Sequence, residues 1–194
     1  MVSRAAALSL FLIGSADAAE LEGVRLEDRI QVDGQALQLN GVALRTRYLF
    51  KVYVAGLYLQ EKASSAQAVF DAKGAKRIVL VMMRDATADQ FCESVEVGLR
   101  ANHTDEELAR VNVQTDALMA MIRAAAEARK GSTIVLDYAP SAGATTLFID
   151  GVAQGPPMPG EEFYRALLRI WLGERPAQEN LKRLLLGLSE NEGG

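Results

Sequence analysis

The sequence predicts one α+β domain, and two observations support that fold class. Segments with the pattern of β-strands come first, amphipathic helical segments follow, and the same order then occurs a second time. Grouped strands and helices are typical of α+β proteins, whereas α/β proteins alternate them. The chain has 194 residues, is 49% hydrophobic and carries a formal net charge of −4. This is the composition of a globular protein, and it excludes an intrinsically disordered chain.

The composition also excludes several functional classes. Cys92 is the only cysteine and His103 the only histidine, so neither a disulfide bond within the chain nor a Cys/His zinc cluster is possible. We expect Cys92 to be a buried structural thiol, and His103 to be a solvated or helix-end residue rather than a catalytic base. No phosphate-binding loop, dinucleotide-binding glycine pattern or nucleophile elbow is present, so we expect no metal and no cofactor. The mild acidity argues against nucleic acid as a partner.

The first 18 residues have the pattern of a secretory signal peptide. Arg4 precedes an apolar run at residues 5–14, and Ala16-Asp17-Ala18 forms a small-residue cleavage site. The run is too short to span a bilayer, which takes about 20 residues; an uncleaved N-terminal anchor is the alternative. We expect an exported protein, periplasmic in a Gram-negative bacterium, with one domain at 19–188 and a polar tail at 189–194. We expect no integral membrane span in the mature chain.

Six segments have the pattern of β-strands. Two of them flank Asp33-Gly34, a pair that favours the positive φ angles of a tight type I′ turn. Asp150-Gly151 marks another turn. In the third segment, which is rich in valine and tyrosine, alternation places Val52 and Tyr53 on opposite faces. The predicted strands are at 27–32, 35–39, 49–59, 77–83, 133–138 and 145–149.

Six further segments are predicted to be helical. Thr87 with Gln90, and Thr104 with Glu107, each form a capping box at the start of a helix. Gly131 is predicted to end a long helix. The predicted helices are at 64–72, after Thr87, after Thr104, at 115–130, around 163–171 and around 181–188. The loop at 155–160, rich in glycine and proline, is expected to be a tight connection, with a loop at a cavity mouth as the alternative.

The segment at 39–59 contains the most informative charged residues. Arg45 lies between two strongly apolar stretches, with Arg47 and Lys51 nearby. A guanidinium that points into the core needs an anionic partner, and a ligand carboxylate fits its forked geometry. The alternative, which spacing alone favours, is that these three cations are solvated charges at a sheet edge.

This segment resembles the chalcone isomerase-like family. The family pattern is a glycine-containing loop, an arginine and a strand of the form K-x-Y-x-x-G-x-Y, matched here by Asn40-Gly41, Arg45 and residues 51–58. A second match lies at 163–187, and the order of the elements between the two also agrees. The resemblance covers roughly Leu21–Leu188. It implies an open-faced β-sandwich, in which helices cover one side of a long antiparallel sheet and a ligand cleft lies between them.

The resemblance also implies that most polar residues of the plant isomerases are replaced. Arg45 stands in the place of their active-site arginine, and Tyr53 in the place of a strand threonine. Their helical tyrosine and asparagine correspond to Phe91 and Gly98, and a late serine or threonine corresponds to Ile170. Closing the ring of a chalcone requires polar groups that stabilise the developing enolate, and each lost donor is costly. We therefore assign no catalytic residue.

The non-catalytic branch of the family binds fatty acids, and the sequence fits that branch better. The leading hypothesis is binding of a small amphipathic carboxylate such as a fatty acid, held by Arg45 and Tyr53 in an apolar cleft. The candidate wall residues, each of which is more often ordinary core than cavity lining, are Phe91, Ile170, Val95, Met82 and Leu147.

Two other functions stay open at this point. One is an intramolecular lyase or isomerase that acts on a chalcone or another enone. The other is a ligand-free scaffold that binds an unknown partner protein, which predicts that no cavity lies near Arg45.

Overall fold

The computed structural model describes residues 18–125 and 127–189, which form twelve strands and six helices. The predicted signal peptide, apart from Ala18, and the tail beyond Ser189 lie outside the described residues. The strands are β1 (Ala18–Leu21), β2 (Val24–Glu27), β3 (Arg29–Val32), β4 (Gln35–Arg47), β5 (Phe50–Leu59), β6 (Lys76–Met82), β7 (Ala86–Thr87), β8 (Glu127–Ala128), β9 (Thr133–Ala139), β10 (Ala144–Ile149), β11 (Val152–Ala153) and β12 (Met158–Pro159). The helices are α1 (Ala66–Asp71), α2 (Ala88–Asn102), α3 (Asp105–Arg110), α4 (Asn112–Ala124), α5 (Glu161–Leu172) and α6 (Glu179–Leu185).

Eight of the strands form one antiparallel sheet. Its order is β11-β10-β9-β6-β5-β4-β3, with β12 also paired to β10. The hairpin of β3 and β4 turns at Asp33 and Gly34, whose φ angles are 52° and 70°, as the sequence predicts for a type I′ turn. The strands predicted at 133–138 and 145–149 pair with each other as β9 and β10, and the turn predicted at Asp150-Gly151 joins β10 to β11.

The sheet has two unequal faces, which confirms the open-faced β-sandwich. The larger core lies between the sheet and the helices, where α5 is the most buried of the described helices. The smaller core lies on the opposite face, where the hairpin of β1 and β2 places Leu26 against Gly56 of the interior strand β5. None of the described helices is long and apolar enough to cross a membrane.

The helix predicted at 115–130 is wrong at both ends. It begins three residues earlier, because the Thr115 hydroxyl bonds to the carbonyl of Val111 and does not cap the helix. It ends at Ala124, because Glu127–Ala128 pairs with Ala86–Thr87 to form a small separate sheet. By contrast, both predicted capping boxes are present, at the starts of α2 and α3.

Asn40 and Gly41 lie within β4, so they do not form the loop that the family pattern implies. A β-bulge makes Asn40 an extra residue between the pairs Leu39–Tyr58 and Gly41–Leu57. The Asn40 side chain donates to the carbonyl of Leu185 at 2.7 Å and accepts from the amide of Ala63 at 2.7 Å. A Cβ on Gly41 would lie 2.0 Å from the carbonyl oxygen of Leu184. Asn40 and Gly41 therefore allow α6 to pack closely against the sheet.

Candidate functional site

A second β-bulge shapes the end of the hairpin formed by β4 and β5. Arg45 is opposite Tyr53, but the next pair is Thr46 with Lys51, which leaves Val52 without a partner on β4. Bulges re-aim side chains, and here Val52 and Tyr53 both face the same cavity. The sequence alternation, which places them on opposite faces, is therefore wrong at this position.

The cavity lies between the sheet and the helices, at the end of β4, β5 and β6. Its volume is about 370 Å³, within the usual range of small-molecule sites, about 300–1,000 Å³. Most of its wall is apolar, and its polar lining residues include Arg45, Tyr53 and Gln90. The apolar lining residues are Val52, Leu80, Met82, Phe91, Val95, Ile170 and Trp171.

Arg45 is the least exposed of the three arginines that line this cavity. It is half-buried, and its Nη1 donates to the carbonyl of Ala177 at 2.7 Å. Its guanidinium carbon lies 5.9 Å from the centroid of the Tyr53 ring, within cation–π range. Within residues 18–125 and 127–189, Arg45 has no ion pair with an acidic residue. Most of its five N–H donors are therefore available to an anion.

The Tyr53 hydroxyl is held beside Arg45 by the indole of Trp171. The indole Nε1 donates to the hydroxyl oxygen at 2.9 Å, and both side chains are buried. Burial raises the pKa of Tyr53, while Arg45 and the Trp171 hydrogen bond act in the opposite direction. The hydroxyl therefore keeps its proton at neutral pH. Since indole can only donate, that proton is free to bond to a ligand oxygen.

The comparisons with known proteins agree with this architecture. The family model described as chalcone isomerase-like matches residues 18–187, which is most of the chain. The chain belongs to the chalcone isomerase-like family. Among solved structures, it is similar to a fatty-acid binding protein from Arabidopsis thaliana, with a TM-score of 0.65 and 18% sequence identity. That alignment covers 88% of this chain and 96% of the plant chain. No curated protein matches the chain.

In this chalcone isomerase-like chain, most of the predicted site residues line one cavity. Arg45, Tyr53, Phe91 and Ile170 all do so, as do the additional candidates Val95 and Met82. Leu147 does not, and the alternative of an ordinary core residue holds for it. It lies on β10, which is separated from β6 by β9, and its side chain is packed in the core.

Two residues that the resemblance predicts to replace polar residues of the plant isomerases pack against each other. Gly98 on α2 faces Ile170 on α5, and a Cβ on Gly98 would lie 2.7 Å from Cγ2 of Ile170. Neither residue supplies a hydrogen-bond donor to the cavity through its side chain. The contact also leaves no space for a longer side chain at residue 98, so the two replacements fit each other.

Sequence reasoning missed Trp171 as a site residue. Its apolar spacing along α5 indicates a core position, and it is indeed buried. A signal was available, because a buried indole N–H usually finds an acceptor and Trp171 directly follows a predicted wall residue. The carbonyl of Ala177, which accepts from Arg45, has no side-chain signature and could not be predicted.

His103 and Cys92 lie away from the apolar cavity. The Nδ1 atom of His103 is 2.9 Å from the carbonyl of Leu99 at the end of α2. His103 also borders a second, polar cavity of about 400 Å³, where Arg169 pairs with Glu107 at 3.2 Å. Cys92 is buried in the core, and burial raises the pKa of its thiol, as expected of an unreactive cysteine. No cluster of potential metal ligands occurs among the described residues.

Proposed function

We propose that this protein binds a small amphipathic carboxylate, with a fatty acid as the leading candidate. The observation that carries the proposal is a half-buried arginine without an acidic partner among the described residues, which opens onto an apolar cavity. Removing a guanidinium from water is costly unless an anion compensates it. The fold shared with a plant fatty-acid binding protein supports the same ligand class.

In this proposal the two ends of the ligand are bound by different physical forces. The carboxylate accepts charge-assisted hydrogen bonds from Arg45 and a further bond from the Tyr53 hydroxyl. The alkyl chain lies against the apolar walls, among them Met82, Phe91 and Ile170. Each buried methylene contributes about 0.8 kcal/mol, so longer chains bind more tightly until the cavity is full.

The test is a titration of delipidated protein with fatty acids of increasing chain length. For wild type, we expect affinity to rise about fourfold per methylene and then to level off. Arg45→Gln removes a hydrogen bond to a charged group, worth about 1.5–3 kcal/mol, and is expected to lower the affinity at least tenfold. The matched control is Arg100→Gln, since this arginine is exposed and lies outside the cavity. Equal affinities for wild type and Arg45→Gln, or no binding at all, would refute the proposal.

We propose further that the protein lacks chalcone isomerase activity. Phe91, Gly98 and Ile170 have no side-chain donors with which to stabilise an enolate, and only Arg45 and Tyr53 are available for that purpose. A spectrophotometric assay is expected to show chalcone loss at the rate of buffer alone. Loss above that rate, abolished by Tyr53→Phe, would favour the enzyme instead. The open cavity at Arg45 argues against the third hypothesis, a ligand-free scaffold.

Export to the periplasm is also a proposal, based on the pattern of residues 1–18. Cleavage after Ala18 would make Ala19, the second residue of β1, the first residue of the mature protein. The test is N-terminal sequencing of protein recovered from a periplasmic extract of a Gram-negative host. A sequence starting at Ala19 supports the proposal, and an intact Met1 in a cytoplasmic fraction contradicts it.

A further inference from the structure

The tip of the hairpin formed by β4 and β5 presents three consecutive apolar side chains to solvent. The exposed fractions are 89% for Tyr48, 97% for Leu49 and 61% for Phe50. Isolated exposed apolar residues are common on protein surfaces, but a contiguous group of them marks an interaction site.

The other two-residue turns of this fold are built differently. Three of them consist of an acidic residue followed by glycine, both with positive φ: Glu22-Gly23, Asp33-Gly34 and Asp150-Gly151. At the apolar tip, Tyr48 has a φ of 55°, a conformation that bulky side chains rarely adopt. A tight turn alone would favour glycine or asparagine here. The choice of tyrosine and leucine therefore indicates a role that turn formation does not explain.

Two arginines flank this tip without an ion pair among the described residues. The guanidinium carbon of Arg84 lies 5.2 Å from the centroid of the Phe50 ring, and Arg47 is exposed at the end of β4. Lys51, by contrast, is neutralised by Glu22 at 2.5 Å. The charged residues that line the cavity are two acidic residues, Asp85 and Glu93, and three arginines. The tip is thus locally cationic on a chain whose net charge is −4.

The same residues form the opening of the apolar cavity. Arg47, Tyr48, Phe50 and Arg84 all line it, whereas Leu49 does not and is the most exposed large apolar residue among those the structure describes. A surface that receives this tip would therefore also meet the opening of the cavity.

We propose that this tip docks on the surface of an anionic phospholipid membrane. Aromatic rings favour the headgroup region of a bilayer, and leucine favours the acyl boundary. Arg47 and Arg84 would contact lipid phosphates, to which guanidinium groups bind in a forked geometry. Because the apolar area is small, docking is reversible. The proposal goes beyond carboxylate binding and stands even if the cavity holds another ligand.

The test is co-flotation of wild type with two kinds of vesicle, one of phosphatidylcholine alone and one with equal amounts of phosphatidylglycerol. We expect binding to the anionic vesicles, weaker binding to the neutral ones, and loss of binding as salt rises. Leu49→Asp is expected to lower the partition coefficient at least tenfold, since it removes an inserted side chain. Arg84→Gln is expected to lower it about fivefold.

The matched control is Val113→Asp, which adds the same charge at another exposed apolar residue, on α4. It is expected to bind vesicles as wild type does. Carboxylate affinity in solution should be unchanged by Leu49→Asp, so failure of docking and failure of ligand binding are distinguishable. The proposal is overturned if the wild-type protein does not bind anionic vesicles, or if Leu49→Asp co-floats with them to the same extent as wild type. It is also overturned if sedimentation shows a wild-type dimer that Leu49→Asp converts to monomer, because a second copy then covers the tip.

Discussion

Trp171 and Tyr53 are joined by a buried hydrogen bond, with the indole Nε1 donating to the hydroxyl oxygen at 2.9 Å. The bond connects helix α5 to strand β5 across the layer that contains the cavity. Because one lone pair of the tyrosine oxygen accepts the indole N–H, the hydroxyl proton is directed away from the indole. Trp171 is also the only tryptophan of the chain, so its fluorescence reports on this site.

A brominated fatty acid is expected to quench this fluorescence. Trp171 lines the cavity, and a bromine atom on a bound alkyl chain would lie close to the indole. Titration should give saturable quenching in wild type, weaker binding in Arg45→Gln and no cavity signal in Trp171→Phe. Unsaturable quenching that is equal in wild type and Arg45→Gln would show that the ligand does not enter at Arg45.

The contact between Gly98 and Ile170 predicts that Gly98→Ala destabilises the wild-type protein but stabilises the Ile170→Ala variant. In wild type, Gly98→Ala places a Cβ 2.7 Å from Cγ2 of Ile170 and is expected to cost about 1–3 kcal/mol of overpacking, which outweighs its gain in helix propensity. In the Ile170→Ala background the space is free. There Gly98→Ala should raise the free energy of unfolding by up to about 1 kcal/mol.

Urea unfolding of the four proteins measures this cycle. The two substitutions should show a coupling of 0.5 to about 3 kcal/mol, the range of residues in direct contact. Additive effects would mean that α2 and α5 can shift apart without cost.

Gly41→Ala is expected to loosen α6 and to weaken the site together. The new Cβ would lie 2.0 Å from the backbone oxygen of Leu184, an atom that cannot rotate away. Displacement of α6 would also disturb Ala177, whose carbonyl holds Arg45. We expect a loss of about 1–3 kcal/mol in unfolding free energy and a lower carboxylate affinity.

Asn40→Ala provides an independent test of the contact between β4 and α6. It removes the hydrogen bonds to Leu185 and Ala63 at a buried position and is expected to destabilise the protein by a similar amount. If either variant lost stability and kept full carboxylate affinity, α6 would not be positioning Arg45.

Tyr58 predicts a change in stability at alkaline pH. Burial raises its pKa to about 12, against about 10 in an unfolded chain. The unfolded state therefore loses its proton first as pH rises above 10, and the stabilising contribution declines from there towards pH 12. Phenylalanine cannot ionise, so Tyr58→Phe lacks this decline.

Comparison of the two proteins by urea unfolding from neutral pH upwards isolates this effect. Near neutrality, Tyr58→Phe should be less stable by about 0.5–1.5 kcal/mol, because it loses the 2.9 Å bond to the carbonyl of Glu27. Above pH 10 the difference should shrink. Parallel curves over the whole range would contradict the raised pKa.

Features that depend on a few neighbouring residues could be predicted from the sequence. The capping boxes at Thr87 and Thr104 and the turn at Asp33-Gly34 each satisfy backbone groups locally, so their residue patterns are sufficient. The family pattern extended this to the order of the elements and to four residues that do line one cavity.

Features that depend on distant pairing could not be predicted. The helix predicted at 115–130 ends early because of strand pairing with residues 86–87, which no local pattern shows. Leu147 has the same alternation as a wall residue, and only the order of strands separates it from the cavity. The bulge that turns Val52 towards the cavity depends on register between strands, which alternation along one strand does not encode.

The packing of α6 and the segment before it against β4 also has a consequence for how the protein folds. The Arg45 bond to Ala177 closes 132 residues of chain, and the Asn40 bond to Leu185 closes 145. Contacts between such distant segments are expected to form late. The chain loses the conformational entropy of loop closure before the contacts can contribute any stabilising free energy. A chain still emerging from a ribosome or a translocation channel would leave the part of β4 that α6 covers exposed until α6 arrived. The end of the cavity at Arg45 is therefore expected to be among the last parts of the molecule to form.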